Sequence, residues 1–431
     1  MDILKRWMSA EAQRPGGARR NAHRGPRPGG RRTRRVVLYS PGMVGFGHIR
    51  RNASIAQALR CTATPPTIVM IAEARQAGAL PMPEGVDCVT LPSLRKEADG
   101  WCRPRFLEMS QEEVVAIRAG LIRSAIKSFD PDVFIVDHLP LGAAGELSGT
   151  LEEIRRGGRT RCVLGLRDIL QDPETVRETW RKQGTEEAVR DCYDAVWIYG
   201  DPEVFDCVRE YGINGAFAAR VQYTGYLDAR ERLAFAGNIA TPLLASLPPG
   251  PLALCLVGGG HDGAALAEAF VGAELPAGTT GVLVTGPYMS KPILKRLREE
   301  ARDRPRLRLV DFLAEPAPLI LRADRVISMG GYNTMCEVLS FRKRALIVPR
   351  VAPKVEQWIR AERFRERGLV DVLHPDRLSA EALSVWLDRD LGPPPPFSTV
   401  VHLDGLRRIP HLVEPLYGSQ ETETLGLGTV Q

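Results

Sequence analysis

The residues best suited to bind a ligand lie in a glycine-rich turn in the last third of the chain. Residues 328–334 read SMGGYNT, between an apolar run and a helical pattern that carries Glu337. A strand, a glycine-rich turn and a helix in this order leave unpaired backbone N–H groups at the helix N-terminus, where phosphate binds well. Asn333 or Thr334 can cap the helix, and Glu337 is placed to accept the hydroxyl groups of a ribose. The pattern predicts a nucleoside diphosphate that carries a further group, bound by Gly330, Gly331, Asn333, Thr334 and Glu337.

A second glycine-rich loop follows an apolar run at residues 252–257 and reads GGGHDG over residues 258–263. Glycines let a backbone approach a phosphate closely, although a tight turn would also use some of them. Further on, Glu356 and Gln357 follow another apolar run, where they can reach sugar hydroxyl groups or form a solvated helix face. These patterns add Gly258, Gly259, Gly260 and Gln357 to the predicted ligand-binding residues.

The first apolar run of the chain leads into a loop with a histidine at its end. Residues 39–51 read YSPGMVGFGHIRR, and a helical pattern follows. The loop is not the Gly-x-Gly-x-x-Gly fingerprint of dinucleotide binding, because Arg50 takes the place of the third glycine. His48 stands where the loop becomes the helix, at the carboxyl edge of the predicted sheet. There it can act as a general base on a hydroxyl group or steady a developing charge, or it can simply cap or pack the helix.

Two aspartates also lie at the ends of apolar runs in the first half of the chain: Asp137 ends residues 133–137, and Asp168 follows Arg167 after residues 162–166. Each can serve as a base, hold an acceptor or pair with an arginine, and structural caps and ion pairs are equally compatible with the pattern. The candidate catalytic residues are therefore His48, Asp137 and Asp168.

The sequence offers no convincing metal site. Two Asp-x-Asp pairs occur, at residues 130–132 and 388–390. The first precedes a predicted strand, at the wrong end of the sheet, and the second falls late in a terminal helix. We therefore expect no metal and no cofactor, with helix dipoles and arginines stabilising a leaving diphosphate.

Short β-branched runs alternate with amphipathic stretches along most of the chain, which indicates parallel βαβ units. Strands are predicted at residues 36–40, 67–72, 86–91, 133–137, 162–166, 195–199, 221–223, 252–257, 282–285, 307–310, 326–328, 345–348 and 369–372. The alternation lapses before residues 247–251, which read LPPGP and predict a linker. We expect an α/β fold of two Rossmann-like domains, residues 35–228 and 245–415, facing a central cleft.

The two ends of the chain differ from this pattern. Residues 14–35 hold nine arginines and no acidic residue, in a chain of net charge +6. We therefore predict a disordered arginine-rich tail over residues 1–34, which could touch a membrane surface, and a second loose tail over residues 418–431. No apolar stretch is long enough to span a membrane, the eight cysteines contain no C-x-x-C pair, and basic and aromatic residues do not alternate as in nucleic-acid-binding proteins. These observations favour a cytoplasmic protein, peripheral at the inner face of the membrane if it binds one, and no nucleic-acid partner.

Together, the His48 loop, the SMGGYNT turn, Glu337 and Gln357 resemble the GT-B-fold glycosyltransferases, over residues 35–415. The similarity is to the predicted glycosyltransferases akin to family 28, which include the enzyme that adds N-acetylglucosamine to the lipid-linked peptidoglycan precursor. The resemblance implies that both glycine loops hold the donor diphosphate, Glu337 the ribose and Gln357 the donor sugar, with His48 beside the acceptor. Two departures argue against that particular enzyme: its first loop is richer in glycine and lacks the Ile49-Arg50-Arg51 run, and Glu356 here replaces its donor-binding histidine.

The expected activity is therefore inverting, metal-independent transfer of a hexosyl group from a nucleotide-diphosphate sugar, with uridine implied by the resemblance, to a hydroxyl group. The acceptor can be lipid-linked, a polysaccharide or a small molecule. A nucleotide-sugar 2-epimerase of the same fold and a non-catalytic nucleotide-sugar-binding partner remain alternatives.

Overall fold

The first half of the chain forms a parallel sheet with seven strands. In the computed structural model, which describes residues 32–41, 47–73, 82–96, 102–234, 241–390, 392–393 and 400–418, they are β1 (Arg35–Ser40), β2 (Thr67–Ala72), β3 (Val86–Thr90), β6 (Val133–Asp137), β7 (Arg161–Arg167), β8 (Ala195–Tyr199) and β9 (Val221–Tyr223). A separate antiparallel hairpin consists of β4 (Leu94–Lys96) and β5 (Cys102–Pro104). The sheet order is β3-β2-β1-β6-β7-β8-β9, and every residue of β6 and β8 is buried. Strands buried on both faces read as continuous apolar runs, which is why the sequence pattern located them.

The second half repeats this arrangement with six parallel strands. These are β10 (Leu252–Leu256), β11 (Thr280–Val284), β12 (Leu307–Val310), β13 (Arg325–Ser328), β14 (Arg344–Ile347) and β15 (Asp371–Val372). Their order is β12-β11-β10-β13-β14-β15, the Rossmann order. The expected α/β fold of two Rossmann-like domains is therefore confirmed.

Each sheet contains a point where the strand order reverses, and this point determines where a ligand can bind. β1 pairs with β2 on one side and β6 on the other, and β10 pairs with β11 and β13. The loops that leave such a central pair diverge and open a crevice at the carboxyl ends of the strands. The crevice of the first sheet follows Ser40 and Asp137, and that of the second follows Leu256 and Ser328.

Helices connect the strands and cover the sheets. The α-helices span Gly47–Arg60, Gln111–Phe129, Ser148–Gly157, Pro173–Gln183, Thr185–Cys192, Cys207–Tyr211, Gly215–Ala218, Thr241–Ser246, Ala264–Gly272, Lys291–Glu300, Ala317–Arg322, Tyr332–Ser340, Glu356–Arg365, Ala380–Asp388 and Gly405–Val413. Short 3₁₀ helices span Ala229–Ala234, Pro375–Arg377 and Glu414–Leu416. Local signals begin several of them: Ser110 and Glu113 form a capping box, and Asp172 accepts a hydrogen bond from the Thr175 amide ahead of Pro173.

One feature of the fold, a short hairpin in the first domain, was not apparent from periodicity. The hairpin of β4 and β5 was missed because three residues per strand give no alternating pattern. The Gly405–Val413 helix packs on the Gly47–Arg60 helix of the first domain, and Glu414 pairs with Arg34. The predicted tails, residues 1–34 and 418–431, lie almost wholly outside the described residues. Among the helices that the structure describes, none has the length and apolarity required to cross a membrane.

A buried ion pair joins the two domains. Arg360, on the Glu356–Arg365 helix, is fully buried, and its Nε and Nη2 donate to the carboxylate of Asp168, which follows β7. The same guanidinium donates to the backbone carbonyls of Ile169 in the first domain and Gly330 in the second. Tyr226 donates its hydroxyl hydrogen to Asp168 at 3.1 Å. One side chain therefore fixes the glycine-rich turn of the second domain against the first.

We expect the Asp168→Asn substitution to destabilise the protein strongly, because it leaves the Arg360 charge buried without a counter-ion. Breaking one partner of a buried pair costs about 3–5 kcal/mol in free energy of unfolding. Urea unfolding followed by circular dichroism measures the change. Asp191→Asn is the matched control, since Asp191 forms an exposed pair with Arg190 and its loss should change little. Equal unfolding midpoints for the two variants would contradict the importance given to the buried pair.

Candidate functional site

A cavity of about 240 Å³ lies between the two domains, at the strand-order reversals of both sheets. The first domain contributes Gly47, His48, Arg50, Arg51 and Arg167 to its lining. The second contributes Leu256, Gly258, Gly259, Val284, Gly286, Pro287, Phe312, Leu313, Pro316, Gly331, Tyr332, Asn333, Thr334 and Glu337. The cavity thus brings His48 together with most of the predicted ligand-binding residues.

The glycine-rich turn presents a helix N-terminus to this cavity. Gly331 is the N-cap of the Tyr332–Ser340 helix, and no side chain caps it. Its first amides are therefore available to an anion. Gly330 needs its lack of a side chain, because a Cβ there would lie 2.9 Å from the carbonyl oxygen of Gln357.

The expected cap by Asn333 or Thr334 is wrong, because the helix begins at Tyr332 and both residues lie inside its first turn. Asn333 has a different partner: its Nδ2 donates to the carbonyl of Gly47 at 2.8 Å. The side chain thus connects the turn to the loop that carries His48. The preceding residues 42–46 of that loop lie outside the described residues.

The second glycine-rich loop has two different uses for its glycines. Gly258 and Gly260 both have positive φ values, 64° and 91°. Gly258 faces open space in the cavity, whereas a Cβ on Gly260 would lie 2.5 Å from the carbonyl oxygen of Thr285. Gly258 and Gly259 are thus open to a ligand, while Gly260 allows the loop to pack against the end of β11.

His48, Asp137 and Arg51 form a connected group on the first-domain side of the cavity. Asp137 ends β6 and is fully buried, and its Oδ2 lies 2.6 Å from Nδ1 of His48. Arg51, one helical turn after His48, donates to both oxygens of Asp137 at 2.6 and 2.7 Å. Nδ1 of His48 also lies 2.9 Å from the donor Nη2 of Arg51, but its shorter contact is with an ionised carboxylate, which only accepts hydrogen bonds. We therefore assign the ring hydrogen to Nδ1, which leaves the lone pair on Nε2.

The surroundings push the two groups toward a neutral histidine and an ionised aspartate. Burial lowers the pKa of His48 below its usual value, and the nearby Asp137 offsets only part of this effect. Burial alone would raise the pKa of Asp137, but Arg51 and His48 outweigh it and hold that pKa well below its usual range. His48 is therefore an unprotonated acceptor at neutral pH, oriented by a permanent negative charge.

Asp168 was a candidate for the base, and the structure corrects that expectation. Asp168 is 1% exposed and does not line the cavity. Its carboxylate accepts hydrogen bonds from Arg360, Tyr226 and the Ile169 amide. Its physical role is to hold Arg360. Sequence position alone could not distinguish Asp168 from Asp137, because both follow first-domain strands.

The polar residues expected to contact the ligand are partly engaged by the protein itself. Glu337 lines the cavity but is buried against Arg232, which also contacts Glu315 at 3.0 Å. Burial raises the pKa of Glu337, and Arg232 opposes that rise. The Oε1 of Gln357 accepts from the amides of Gly330 and Arg350, at 3.1 and 3.2 Å. Gln357 therefore supports the turn, and its side chain is not part of the cavity lining.

The structure also shows where two other polar features of the sequence lie, Glu356 and the first Asp-x-Asp pair. Glu356 is buried and pairs with Arg350, which also contacts Asp262 of the second glycine-rich loop at 2.7 Å. Asp132 accepts a hydrogen bond from the Arg35 amide, at the amino end of the first sheet and away from the cavity. Among the residues that the structure describes, no group of three or more His, Cys, Asp or Glu residues is arranged to hold a metal ion.

Three arginines of the site were not among the predicted functional residues: Arg51, Arg167 and Arg360. A spacing of three residues puts Arg51 on the helix face of His48, and Arg360 follows Gln357 at the same spacing. These spacings were available in the sequence. The partners of Arg51 and Arg360 were not apparent from the sequence, because no local pattern connects residues that lie so far apart in the chain.

In sequence, a short stretch of the chain is similar to a known transferase. The chain matches no protein-family model. An 82-residue stretch is 33% identical to UDP-N-acetylglucosamine–N-acetylmuramyl-(pentapeptide) pyrophosphoryl-undecaprenol N-acetylglucosamine transferase of Geobacillus kaustophilus. This stretch covers 18% of the chain and 23% of that relative.

Solved structures match over most of the chain. The glycotransferase of kitacinnamycin superposes with a TM-score of 0.55 at 14% identity, over 90% of this chain and 97% of that one. UDP-GlcNAc 2-epimerase from Neisseria meningitidis, bound to UDP-GlcNAc, has the same TM-score at 11% identity, over 88% and 97% of the two chains. The chain therefore has the GT-B fold, which glycosyltransferases and these epimerases share, and the expected resemblance to GT-B glycosyltransferases is confirmed.

We expect Gly260→Ala to destabilise the second domain more than Gly278→Ala does. Both positions have positive φ, where an L side chain costs about 1–2 kcal/mol, but only the new Cβ at Gly260 meets backbone atoms. At Gly278 a Cβ has nothing within 4 Å. Thermal unfolding of the two variants measures the difference. A melting temperature for Gly260→Ala equal to or above that of Gly278→Ala would mean that the loop shifts without cost.

Proposed function

We propose that this protein is an inverting, metal-independent glycosyltransferase that moves a hexosyl group from a nucleotide-diphosphate sugar to an acceptor hydroxyl group. The observation that carries the proposal is the pairing of two features in one cavity. His48, oriented by Asp137, lies on the first-domain side, and the uncapped N-terminus of the Tyr332–Ser340 helix lies on the second-domain side.

On the donor side, the amides of the first turn of that helix bind the diphosphate, and Gly258 and Gly259 allow it to approach the second loop. Glu337, at the cavity wall, accepts the ribose hydroxyl groups, and uridine is the base that the family resemblance favours. Gln357 acts on the donor indirectly, because it fixes Gly330 of the turn. The family resemblance also implies that Gln357 contacts the donor sugar. When the glycosidic bond breaks, the helix dipole stabilises the charge that develops on the diphosphate.

On the acceptor side, Nε2 of His48 removes the proton of the attacking hydroxyl group. The acceptor oxygen forms a bond to the anomeric carbon while the bond from that carbon to the diphosphate oxygen breaks on the opposite face, which inverts the configuration. Asp137 remains ionised and stabilises the imidazolium that forms, as the orienting carboxylate does in other histidine bases. Asp137 is thus a positioning residue in this scheme, and His48 is the catalytic base.

A nucleotide-sugar 2-epimerase is the second candidate, because an enzyme of that class matches the fold as well as a transferase does. It would isomerise the donor without needing an acceptor. An epimerase of this kind usually places more acid–base residues in the cleft. Among the described residues of the cavity lining, His48 with its positioning carboxylate is the candidate base, which favours transfer.

We expect His48→Gln to lower the rate of transfer by about 100- to 10,000-fold, the usual contribution of a general base, while donor affinity stays unchanged. The wild-type rate should fall as the pH drops through a value below about 6.5, because the lowered pKa of His48 keeps the ring neutral above it. The measurement is release of free nucleoside diphosphate from UDP-, GDP- and dTDP-sugars with a panel of acceptors. His402→Gln, which alters a side chain that is 63% exposed, is the control.

Three other results would each change the assignment. Isomerised donor without free nucleotide would identify an epimerase. Donor binding with neither transfer nor slow hydrolysis would identify a non-catalytic binding partner. Unchanged turnover in His48→Gln would remove His48 from the mechanism.

Peripheral membrane contact is part of the proposal, because a lipid-linked acceptor would require it. Phe106, Leu107 and Met109 are 51%, 44% and 38% exposed in the segment after β5, and Ile117 and Leu121 are exposed on the helix that follows. Arg95 and Arg103 line the same depression as Leu107 and Met109. Apolar side chains rimmed by arginines suit the interface of an anionic bilayer.

We expect Leu107→Asp to reduce binding of the full chain to vesicles of phosphatidylglycerol and phosphatidylcholine, because it adds a negative charge to this apolar patch. Co-sedimentation measures the bound fraction. Val385→Asp is the control, since Val385 is 69% exposed on the Ala380–Asp388 helix of the second domain. If both variants sediment with vesicles as the wild type does, this patch is not the membrane contact.

A further inference from the structure

Arg167 is a charged side chain of the cavity that the proposed mechanism has not used. It ends β7 and lines the cavity beside His48. Its Nε is enclosed and has no hydrogen-bond partner. Within the described part of the chain, neither an ion pair nor a hydrogen bond engages its guanidinium. A cation in this position is suited to an anion that enters the cavity.

The other arginines around the cavity already have partners. Arg51 pairs with Asp137, Arg50 donates to the carbonyls of Leu313 and Ala314, Arg232 pairs with Glu315 and Glu337, and Arg360 pairs with Asp168. Each of these four arginines has an ion-pair or hydrogen-bond partner in the protein, whereas Arg167 has neither among the described residues.

The electrostatic surroundings disfavour an unaccompanied charge at Arg167. Burial, with Arg51 and Arg360, lowers the pKa of Arg167 to about 10, and Glu356 and Asp168 oppose this only in part. Since this value is still above neutral pH, the side chain remains charged. An incoming anion would relieve both the desolvation and the repulsion by like charges.

The same cavity contains the uncapped N-terminus of the Tyr332–Ser340 helix. Arg51 and Arg360 both approach this helix, with their Cζ atoms 5.6 and 5.9 Å from the centre of the Tyr332 ring. Arg51 and Arg360 act electrostatically on Arg167, and Arg167 lines the same cavity as Tyr332, the first residue of the helix.

We infer that Arg167 binds the diphosphate of the nucleotide-sugar donor from the first domain, opposite the helix amides that bind it from the second. This inference rests on the proposed function. The diphosphate is then held between the domains, and Arg167 stabilises the negative charge that it gains when the glycosidic bond breaks. The phosphate ligand would thus draw the two domains together around the reacting atoms.

The test is calorimetric binding of UDP, GDP and dTDP, with inorganic pyrophosphate as a probe that is independent of the base. Arg167→Gln should weaken binding of the preferred diphosphate and of pyrophosphate by about 10- to 100-fold, the usual effect of losing charge-assisted hydrogen bonds. Binding of the corresponding nucleoside should not change, and Arg167→Lys should retain part of the affinity. Arg181→Gln, on an exposed stretch of the Pro173–Gln183 helix, is the control.

Thermal unfolding without ligand supplies a second measurement. Arg167→Gln should melt at or above the wild-type temperature, because the substitution removes a charge that has no ion-pair partner among the described residues. A clear drop in melting temperature would instead identify a structural arginine and overturn the inference.

The outcomes separate this inference from the proposed function. If the folded wild type binds no nucleotide, the proposed function fails and the inference fails with it. If the wild type and Arg167→Gln bind the diphosphate equally well, only the inference fails. Loss of transfer with that unchanged binding would assign Arg167 to an anionic group of the acceptor.

Discussion

The arrangement of the cleft depends on the buried ion pair between Asp168 and Arg360. Arg360 donates to Asp168 and to the Ile169 carbonyl in the first domain, and to the Gly330 carbonyl in the second. Gln357, one turn earlier on the same helix, accepts from the Gly330 amide. Both polar groups of one glycine are thus fixed by a single helix, and that helix is fixed to the first domain.

This connection determines the direction of the helix that follows the turn. The Tyr332–Ser340 helix begins two residues after Gly330. The contacts that fix Gly330 therefore also set the direction of the free amides, although these contacts lie outside the cavity. Asn333 adds a second connection, to the Gly47 carbonyl next to His48. The candidate anion site and the candidate base are therefore positioned by one continuous set of hydrogen bonds across the domain boundary.

The cleft concentrates charge where little water can reach it, and neighbouring groups respond in opposite ways. Asp137 stays ionised because Arg51 and His48 outweigh its burial, and His48 stays neutral because burial outweighs Asp137. Neighbouring titratable groups with shifted pKa values, one held ionised and the other held neutral, are typical of acid–base sites. Arg167 has no ion-pair partner among the described residues, and in the inferred binding mode the donor diphosphate supplies its counter-charge.

The sequence by itself determined the strands of the two parallel sheets, the fold class of two Rossmann-like domains and the positions of the glycine-rich turns. The reason is that parallel strands buried on both faces give apolar runs, and turns with positive φ or close backbone contacts require glycine. It also located His48 at the start of the first helix and Asp137 at the end of a strand, although it could not relate them to each other.

Only the tertiary structure decided which of the two aspartates accompanies His48. Asp137 and Asp168 follow adjacent strands, β6 and β7, and their difference lies in their partners, Arg51 from a nearby helix and Arg360 from 192 residues away. Likewise, the pairing of Glu337 with Arg232 spans 105 residues. Such contacts form because a buried charge requires a partner, and folding brings together charged residues that lie far apart in the chain. No local pattern in a single sequence shows which of these residues meet.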